Sequence, residues 1–217
     1  MINLKLDIKS NENPQVLCLG SHSDDIEIGC GGTILRLINQ YPNVRIHWVV
    51  FSAIGIRKAE AQRGADLFAG KKNLAKAYLK DYRDGFMPYV GMDVKTTFEE
   101  LKQEVSPHLI LTHTHKDAHQ DHRLICELTW NTFRNHFILE YEIPKYDGDM
   151  GRPNVFVPLE RETYESKVQF LMEAFDSQRS KKWFEESTFL SLMRLRGMEC
   201  NSPSGYAEAF HCRKMVL

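Results

Sequence analysis

The sequence lacks the features that mark several specialised classes of protein. No apolar run approaches the ~20 residues that a membrane-spanning helix needs, and residues 1–15 contain no apolar core of the kind found in secretion signals. We therefore expect a cytoplasmic protein with no membrane span. The 28 basic and 29 acidic side chains nearly cancel, so the chain also lacks the positive charge that attracts nucleic acid. No nucleic-acid partner is expected.

Cysteine is sparse, and its spacing excludes two further classes. The five cysteines are widely spaced and include no Cys-x-x-Cys pair, which argues against a disulfide framework and against a thiolate zinc site. Internal repeats and Gly/Ser linkers are also absent from the sequence. A length of 217 residues suits one domain of ordinary size. We therefore predict a single domain over residues 1–217.

Short apolar runs alternate with amphipathic segments along most of the chain, which predicts an α/β fold. The predicted strands cover residues 15–20, 44–51, 73–79, 108–112 and 137–143. The predicted helices between them cover residues 27–40, 56–69, 94–105 and 119–134. This order is typical of a Rossmann-like fold, in which helices flank an open, mainly parallel sheet.

The C-terminal third of the chain differs in composition. Residues 142–158 concentrate Pro, Gly and Asp, which predicts a long structured loop beside the active site. Two amphipathic segments, 159–177 and 184–196, are predicted helices, and residues 205–217 are predicted to return to the sheet as an edge strand.

Two clusters of histidine and aspartate follow predicted strands, at the position where open α/β sheets bind their ligands. The first cluster is SHSDD at 21–25, and the second is HTHKDAHQDH at 113–122. Together they hold five of the nine histidines. Imidazole and carboxylate groups are ligands that zinc accepts, and a catalytic zinc takes three protein ligands and leaves a position for water. The clusters therefore predict a catalytic zinc site.

The spacing within the clusters suggests how such a site would be built. His22 and Asp25, three residues apart across a sharp turn, can point the same way, and the second cluster can supply a third ligand. Asp24 is then free to act as a general base beside the metal. One histidine of the HQDH segment, oriented by Asp121, can act as an acid or stabilise an oxyanion.

Three other residues of the second cluster admit more than one interpretation. Each can contact a ligand on the side away from the metal, belong to a different metal arrangement, or lie in a surface turn; the residues are His113, His115 and Asp117.

The segment SHSDDIEIGCGG resembles the AHPDDxExGxGG signature of the PIG-L/LmbE family of zinc-dependent N-deacetylases, and DAHQDH resembles the second signature of that family, HxDH. The similarity extends to Arg57 and Glu60, to the EIPKYDGD segment and to the C-terminal GYAEAF. Ser21 and Ser23 replace the usual Ala and Pro, which loosens the turn but removes no ligand.

The resemblance implies a Rossmann-like fold, a zinc cofactor and a role for each matched residue. The implied zinc ligands are His22, Asp25 and His122. Asp24 would be the general base, and His119, held by Asp121, would be the acid or oxyanion partner. Arg57 and Tyr206 would contact the substrate. Homo-oligomers are frequent in this family, so a homo-oligomer is a further expectation.

These observations predict a zinc hydrolase that removes acetyl from a small-molecule amino sugar, either an N-acetylglucosamine-type conjugate or a sugar nucleotide. One alternative keeps the metal but changes the bond, which gives a hydrolase of another N-acyl metabolite. Another is a metal-binding protein without turnover. The presence of Asp24, His119 and Asp121 argues against this last alternative, because a scaffold needs no base beside an open metal position.

Overall fold

Seven strands in one sheet form the centre of the structure, a computed structural model that describes residues 13–216. Numbered along the chain, they are β1 (Gln15–His22), β2 (Arg45–Ser52), β3 (Leu74–Leu79), β4 (Leu109–His113), β5 (Phe137–Tyr141), β6 (Val155–Pro158) and β7 (Ala207–His211). Their order across the sheet is β3-β2-β1-β4-β5-β7-β6. The first five are parallel, whereas β7 runs antiparallel to both of its neighbours.

Six α-helices flank this sheet within the described residues. They are α1 (Asp25–Gln40), α2 (Ile56–Asn73), α3 (Gly91–Glu104), α4 (Gln120–Thr132), α5 (Arg161–Ala174) and α6 (Glu186–Glu199). The mainly parallel α/β architecture predicted from the sequence is therefore confirmed. Across residues 13–216, no helix combines the length and the apolar character needed to cross a membrane.

The alternation of side chains along β1 builds a separate core on each face of the sheet. Val16 and Cys18 pack into the larger core, with residues of α1, α2, α5 and α6. Leu17 and Leu19 point the other way, into the core that α3 and α4 cover. Because both faces of β1 are buried, its C-terminal end is held rigidly where the first cluster begins.

Glycines let α1 lie close to its neighbours immediately after β1. A Cβ atom at Gly29 would fall 2.2 Å from Cδ2 of Tyr141, and one at Gly31 would fall 2.4 Å from Cε1 of Phe68. Contacts this short exclude any side chain unless the helix moves. These glycines therefore have a packing role, and they fix the start of α1 against β5.

Two predictions for the C-terminal third were wrong. The predicted loop over 142–158 contains β6, and β7 is an interior strand between β5 and β6 instead of an edge strand. Strand β6 ends in Pro158, which has no N–H group to donate and therefore suits an edge position. The first four residues of β7 are buried, as expected for a strand with partners on both sides.

Candidate active site

The sheet brings the two histidine and aspartate clusters together. Strands β1 and β4 are parallel neighbours, so the segments that follow them leave the same edge of the sheet. A direct contact joins the clusters, because the Ser21 N–H donates a hydrogen bond to Nε2 of His113 over 3.0 Å. Helices α1 and α4 then begin within these clusters and hold the remaining residues in fixed positions.

Three candidate ligand atoms form a compact triangle at this edge. Nδ1 of His22 lies 3.1 Å from Nε2 of His122 and 3.4 Å from Oδ2 of Asp25. The third side, from Nε2 of His122 to Oδ2 of Asp25, measures 3.5 Å. A tetrahedral zinc ion with bonds of ~2.0–2.1 Å holds its ligand atoms ~3.3 Å apart. The spacing of the three atoms therefore fits one zinc ion.

The outer nitrogens of both histidines are held by carboxylates. Nδ1 of His122 lies 2.9 Å from Oδ2 of Asp117. Nε2 of His22 lies 3.0 Å from Oδ1 of Asp84 and 3.3 Å from Oδ2 of Asp121. In a neutral ring, a nitrogen that donates to a carboxylate leaves the other nitrogen unprotonated and fixed in direction, as in zinc sites. This arrangement is a second observation that fits a metal ion.

The charges of the three groups suit metal binding. Burial alone would raise the pKa of Asp25, but the imidazoles of His122, His113 and His22 outweigh it and hold that pKa well below its usual range. Burial and the neighbouring His113 lower the pKa of His122 to about 4, so its ring is neutral. Burial opposes protonation of His22, yet Asp25 and the other carboxylates hold its pKa well above the usual value. Surroundings that attract a proton so strongly also attract a divalent cation.

Three overlapping sets of residues in the site place candidate ligand atoms close together. Within residues 13–216, ligand atoms lie within 4.8 Å of one another in three sets: His22, His119 and His122; His22, Asp84, His119 and Asp121; and Asp25, His113 and His122. His113 is buried, and its ring stacks on that of His122 with centroids 3.9 Å apart. Because Nε2 of His113 already accepts the Ser21 N–H, the geometry favours His22 over His113 as the third ligand.

Asp24 lies beside the triangle and pairs with Arg57 of α2. Oδ1 of Asp24 is 2.8 Å from Nη2 of Arg57, and the Asp24 side chain is buried. The other side of the guanidinium contacts Oε2 of Glu60 at 2.6 Å, and Glu60 in turn accepts hydrogen bonds from Ser177. Burial raises the pKa of Asp24, against the lowering effect of Arg57. A carboxylate with a raised pKa is a better proton acceptor than an ordinary aspartate.

His119 stands at the start of α4, beside the rings of His22 and His122. Its Nδ1 accepts the main-chain N–H of Asp121 over 3.3 Å, so a neutral ring carries its proton on Nε2. Ring centroids of His22 and His122 lie 4.8 and 4.7 Å away. Burial and the charge of His22 lower the pKa of His119. The arrangement leaves a neutral ring that can donate a hydrogen bond through Nε2.

The expected link between Asp121 and His119 therefore runs through the main chain of Asp121. The carboxylate of Asp121 is directed elsewhere, to Nε2 of His22 and to the main-chain N–H groups of Gly85 and Met87. The Asp121 carboxylate therefore connects the segment that follows β3 to the ring of His22.

Sequence reasoning missed Asp84, which reaches the site from that same segment. Its side chain is 73% exposed, although its carboxylate touches His22. The signal was present in the sequence, because Asp84 follows a predicted strand of the parallel sheet, as the two clusters do.

Two other residues singled out from the sequence lie away from the triangle. The ring of Tyr206 stacks on that of Tyr164 with centroids 4.0 Å apart, beneath the guanidinium of Arg194. The exposed His115 faces Glu140 of β5, with Nδ1 3.4 Å from Oε2. The substrate contact assigned to Tyr206 stays a prediction.

The chain was compared with protein families and with solved structures. The sequence profile described as GlcNAc-PI de-N-acetylase (PIG-L) matches residues 17–133, which include both clusters and Arg57. N,N'-diacetylchitobiose deacetylase from Pyrococcus horikoshii is a structural neighbour with a TM-score of 0.68 and 23% identity, over 91% of this chain and 83% of that one.

Two further structures have a similar fold at lower identity. The 4-carboxy-2-hydroxymuconate hydratase from Pseudomonas putida gives a TM-score of 0.75 at 16% identity, over 94% of this chain and 98% of that one. A zinc-inhibited form of a teicoplanin deacetylase gives a TM-score of 0.69 at 13% identity, over 91% of this chain and 97% of that one. At such identities these neighbours establish the shared fold. The family profile spans more than half of the chain, and the protein therefore belongs to the GlcNAc-PI de-N-acetylase (PIG-L) family.

Proposed function

We propose that the protein is a zinc-dependent hydrolase that removes the N-acetyl group from an N-acetylglucosamine-type conjugate or sugar nucleotide. The observation that carries the proposal is the triangle of His22, Asp25 and His122, with Asp24 next to Asp25 in the chain and the His119 ring against that of His122. Membership of the family supports the choice of an N-acetyl amino sugar. The chitobiose deacetylase and teicoplanin deacetylase neighbours are consistent with it.

His22, Asp25 and His122 would hold the zinc ion. A zinc ion supplies Lewis acidity, which polarises an amide carbonyl and lowers the pKa of a water molecule toward ~7. Asp24, buried and held by Arg57, accepts the proton of the attacking water. The Nε2–H of neutral His119 would donate a hydrogen bond to the developing oxyanion, and the proton that Asp24 takes from the water would pass to the leaving nitrogen. The products are acetate and a free amine.

Arg57 and Asp84 line the approach to these groups. The Arg57 side chain, which contacts Asp24 and Glu60, is 22% exposed, and that of Asp84 is 73% exposed, so both present polar groups at the surface of the site. We assign them to substrate orientation. A small polar conjugate fits this lining better than an uncharged apolar amide does.

The test measures acetate release by the zinc-loaded protein from a panel of N-acetylglucosamine conjugates and sugar nucleotides. Asp24→Asn should lower kcat by about 10²–10⁴-fold, because the amide cannot accept a proton. The variant should keep stoichiometric zinc, since Asp24 is outside the ligand triangle. Asp66→Asn, an exposed position on α2, is the matched control and should keep full activity.

Each outcome distinguishes the proposal from its alternatives. Full turnover by Asp24→Asn would contradict the assignment of the base. Release of other acyl groups but not of acetate would favour a hydrolase of another N-acyl metabolite. Stoichiometric zinc without any hydrolysis would favour a metal-binding protein, or a reaction such as the hydration named for the Pseudomonas putida neighbour.

A further inference from the structure

A largely buried lysine outside the candidate site contacts the carboxylate that holds one candidate metal ligand. Lys145 lies in the segment between β5 and β6, and only 12% of its side chain is exposed. Its Nζ is 3.0 Å from Oδ1 of Asp117 and 2.6 Å from Oδ2 of Asp149. We propose that Lys145 is a positioning residue, which fixes Asp117 and through it the ring of His122 in the orientation that binds metal. This inference rests on the metal site of the proposed function.

Asp117 is the centre of this support. Its Oδ2 lies 2.9 Å from Nδ1 of His122, and its Oδ1 accepts the main-chain N–H of His119 over 2.8 Å. One carboxylate therefore orients the ring of a candidate ligand and the backbone of the candidate proton donor. The carboxylate is buried, and a buried charge requires a counter-charge. Lys145 supplies that charge, whereas the guanidinium of Arg123 binds the Asp117 carbonyl oxygen instead.

Asp149 fixes the ammonium group from the other side. Its Oδ2 accepts hydrogen bonds from Nζ of Lys145 and from the main-chain N–H of Ala118, each over 2.6 Å. Lys145 and Asp149 thus clamp the main chain next to Asp117, where the second cluster leads into α4. A lysine on an exposed surface would instead sample many rotamers and exert no such constraint.

The base of the segment is anchored to the body of the protein. Oε1 of Glu142 accepts the Gly151 N–H over 3.0 Å, which closes the segment, and lies 2.8 Å from Nη2 of the buried Arg196 on α6. These contacts hold the chain on both sides of Lys145. The position of the ammonium group is therefore determined by the fold.

Loss of the ammonium group would leave the carboxylates of Asp117 and Asp149 facing each other without a cation. Their repulsion would shift Asp117, and the His122 ring would lose its fixed direction. Partners behind metal-binding histidines contribute about 10–100-fold to metal affinity. Lys145→Met, which keeps the length of the side chain but not its charge, should weaken zinc binding by about this factor.

The experiment titrates zinc into metal-free protein in competition with a fluorescent chelator at one fixed pH, and records the visible absorption of the cobalt-substituted protein. Lys145→Met should bind zinc about 10–100-fold more weakly. Its cobalt spectrum should change, because the geometry of a ligand has changed. Lys145→Arg, which keeps the charge, should restore most of the affinity and the wild-type spectrum. The matched control is Lys116→Met, an exposed lysine in the same cluster, which should behave as wild type.

A zinc affinity and cobalt spectrum unchanged in Lys145→Met would overturn the inference while leaving the proposed function intact. Equal weakening by Lys116→Met would overturn it too. A wild-type protein that binds no zinc would overturn the metal site and this inference with it. If Lys145→Met does not fold, Asp149→Asn tests the same clamp and should weaken zinc binding in the same direction, by a smaller factor.

Discussion

His113 and His122 lie side by side in the candidate site, yet their ring nitrogens are engaged differently. Nε2 of His113 accepts the Ser21 N–H, whereas Nε2 of His122 faces the ligand atoms of His22 and Asp25. Only a nitrogen with a free lone pair can bind a metal. At the scale of single residues, the hydrogen bond to Nε2 of His113 therefore distinguishes it from His122, the candidate metal ligand.

This difference predicts the metal content of two variants. His122→Gln should raise the zinc dissociation constant by more than about 100-fold, beyond the effect of losing a supporting residue. His113→Gln should retain stoichiometric zinc, because its amide can still accept the Ser21 N–H. Metal analysis after dialysis against a weak chelator measures both. Loss of zinc from both variants would place the metal among Asp25, His113 and His122 instead.

The sequence could predict residues that belong to a local cluster at the end of a strand. The turn that joins β1 to α1 places His22, Asp24 and Asp25 together, and the spacing of the SHSDD cluster already implies this. The contacts of Asp84 with His22 and of Lys145 with Asp117 join residues distant in sequence. Neither Asp84 nor Lys145 belongs to a cluster of metal-ligating residue types, and the packing of whole segments brings each of them to its partner.

At the scale of elements, a buried ion pair joins α1, α5 and β7. Nζ of Lys167 on α5 lies 2.6 Å from Oε1 of Glu208 on β7, and both side chains are 3% exposed. The same carboxylate accepts the main-chain N–H groups of Gly32 and Thr33 in α1, and the ammonium donates to the Ile28 carbonyl. The pair thus holds the helix that carries Asp25 against the sheet.

Lys167→Met should lower the free energy of unfolding by about 3–5 kcal/mol, because it leaves the Glu208 charge buried without its partner. Urea unfolding of the metal-free protein measures this change. Lys182→Met, at an exposed position, is the control and should stay within about 0.5 kcal/mol of wild type. The double variant Lys167→Met with Glu208→Gln should be more stable than Lys167→Met alone, and an equal or lower stability would contradict this account.

A strand could be predicted from the sequence where one clear apolar run extends along it. Strands β1, β2 and β4 are apolar because helices cover both faces, and their bounds follow closely from their apolar runs. Strand β6 has only four residues, VFVP, and the Pro, Gly and Asp residues that precede it obscure its short apolar run in the sequence. The place of β7 between two partners depends on β6 and cannot be derived from the composition of β7 alone.

At the scale of the whole molecule, the C-terminal segment completes the sheet. Strand β7 pairs with β5 through Tyr141 and Phe210 and with β6 along its length, and Phe210 is fully buried. A chain that ends at Tyr206 loses β7 and leaves both β5 and β6 without a partner on that side. An exposed sheet edge of this kind favours aggregation.

We therefore expect the chain ending at Tyr206 to be insoluble or to lose its cooperative unfolding transition. A chain ending at Lys214 keeps β7 and should unfold as wild type does. Circular dichroism during thermal unfolding compares the two. Cooperative unfolding of the shorter chain, at a midpoint near that of wild type, would show that β7 contributes little.

All of the groups assigned to the reaction lie between His22 and His122, whereas Lys145 and Asp149 of the segment between β5 and β6 contact the supporting residues Asp117 and Ala118. The tip of that segment, residues 146–148, includes the 75% exposed Tyr146 and makes none of those contacts. The segment thus has a base fixed by ion pairs and an exposed tip that is free of them. A substitution at Tyr146 therefore changes this exposed surface while the contacts of Lys145 with Asp117 and of Asp149 with Ala118 stay in place.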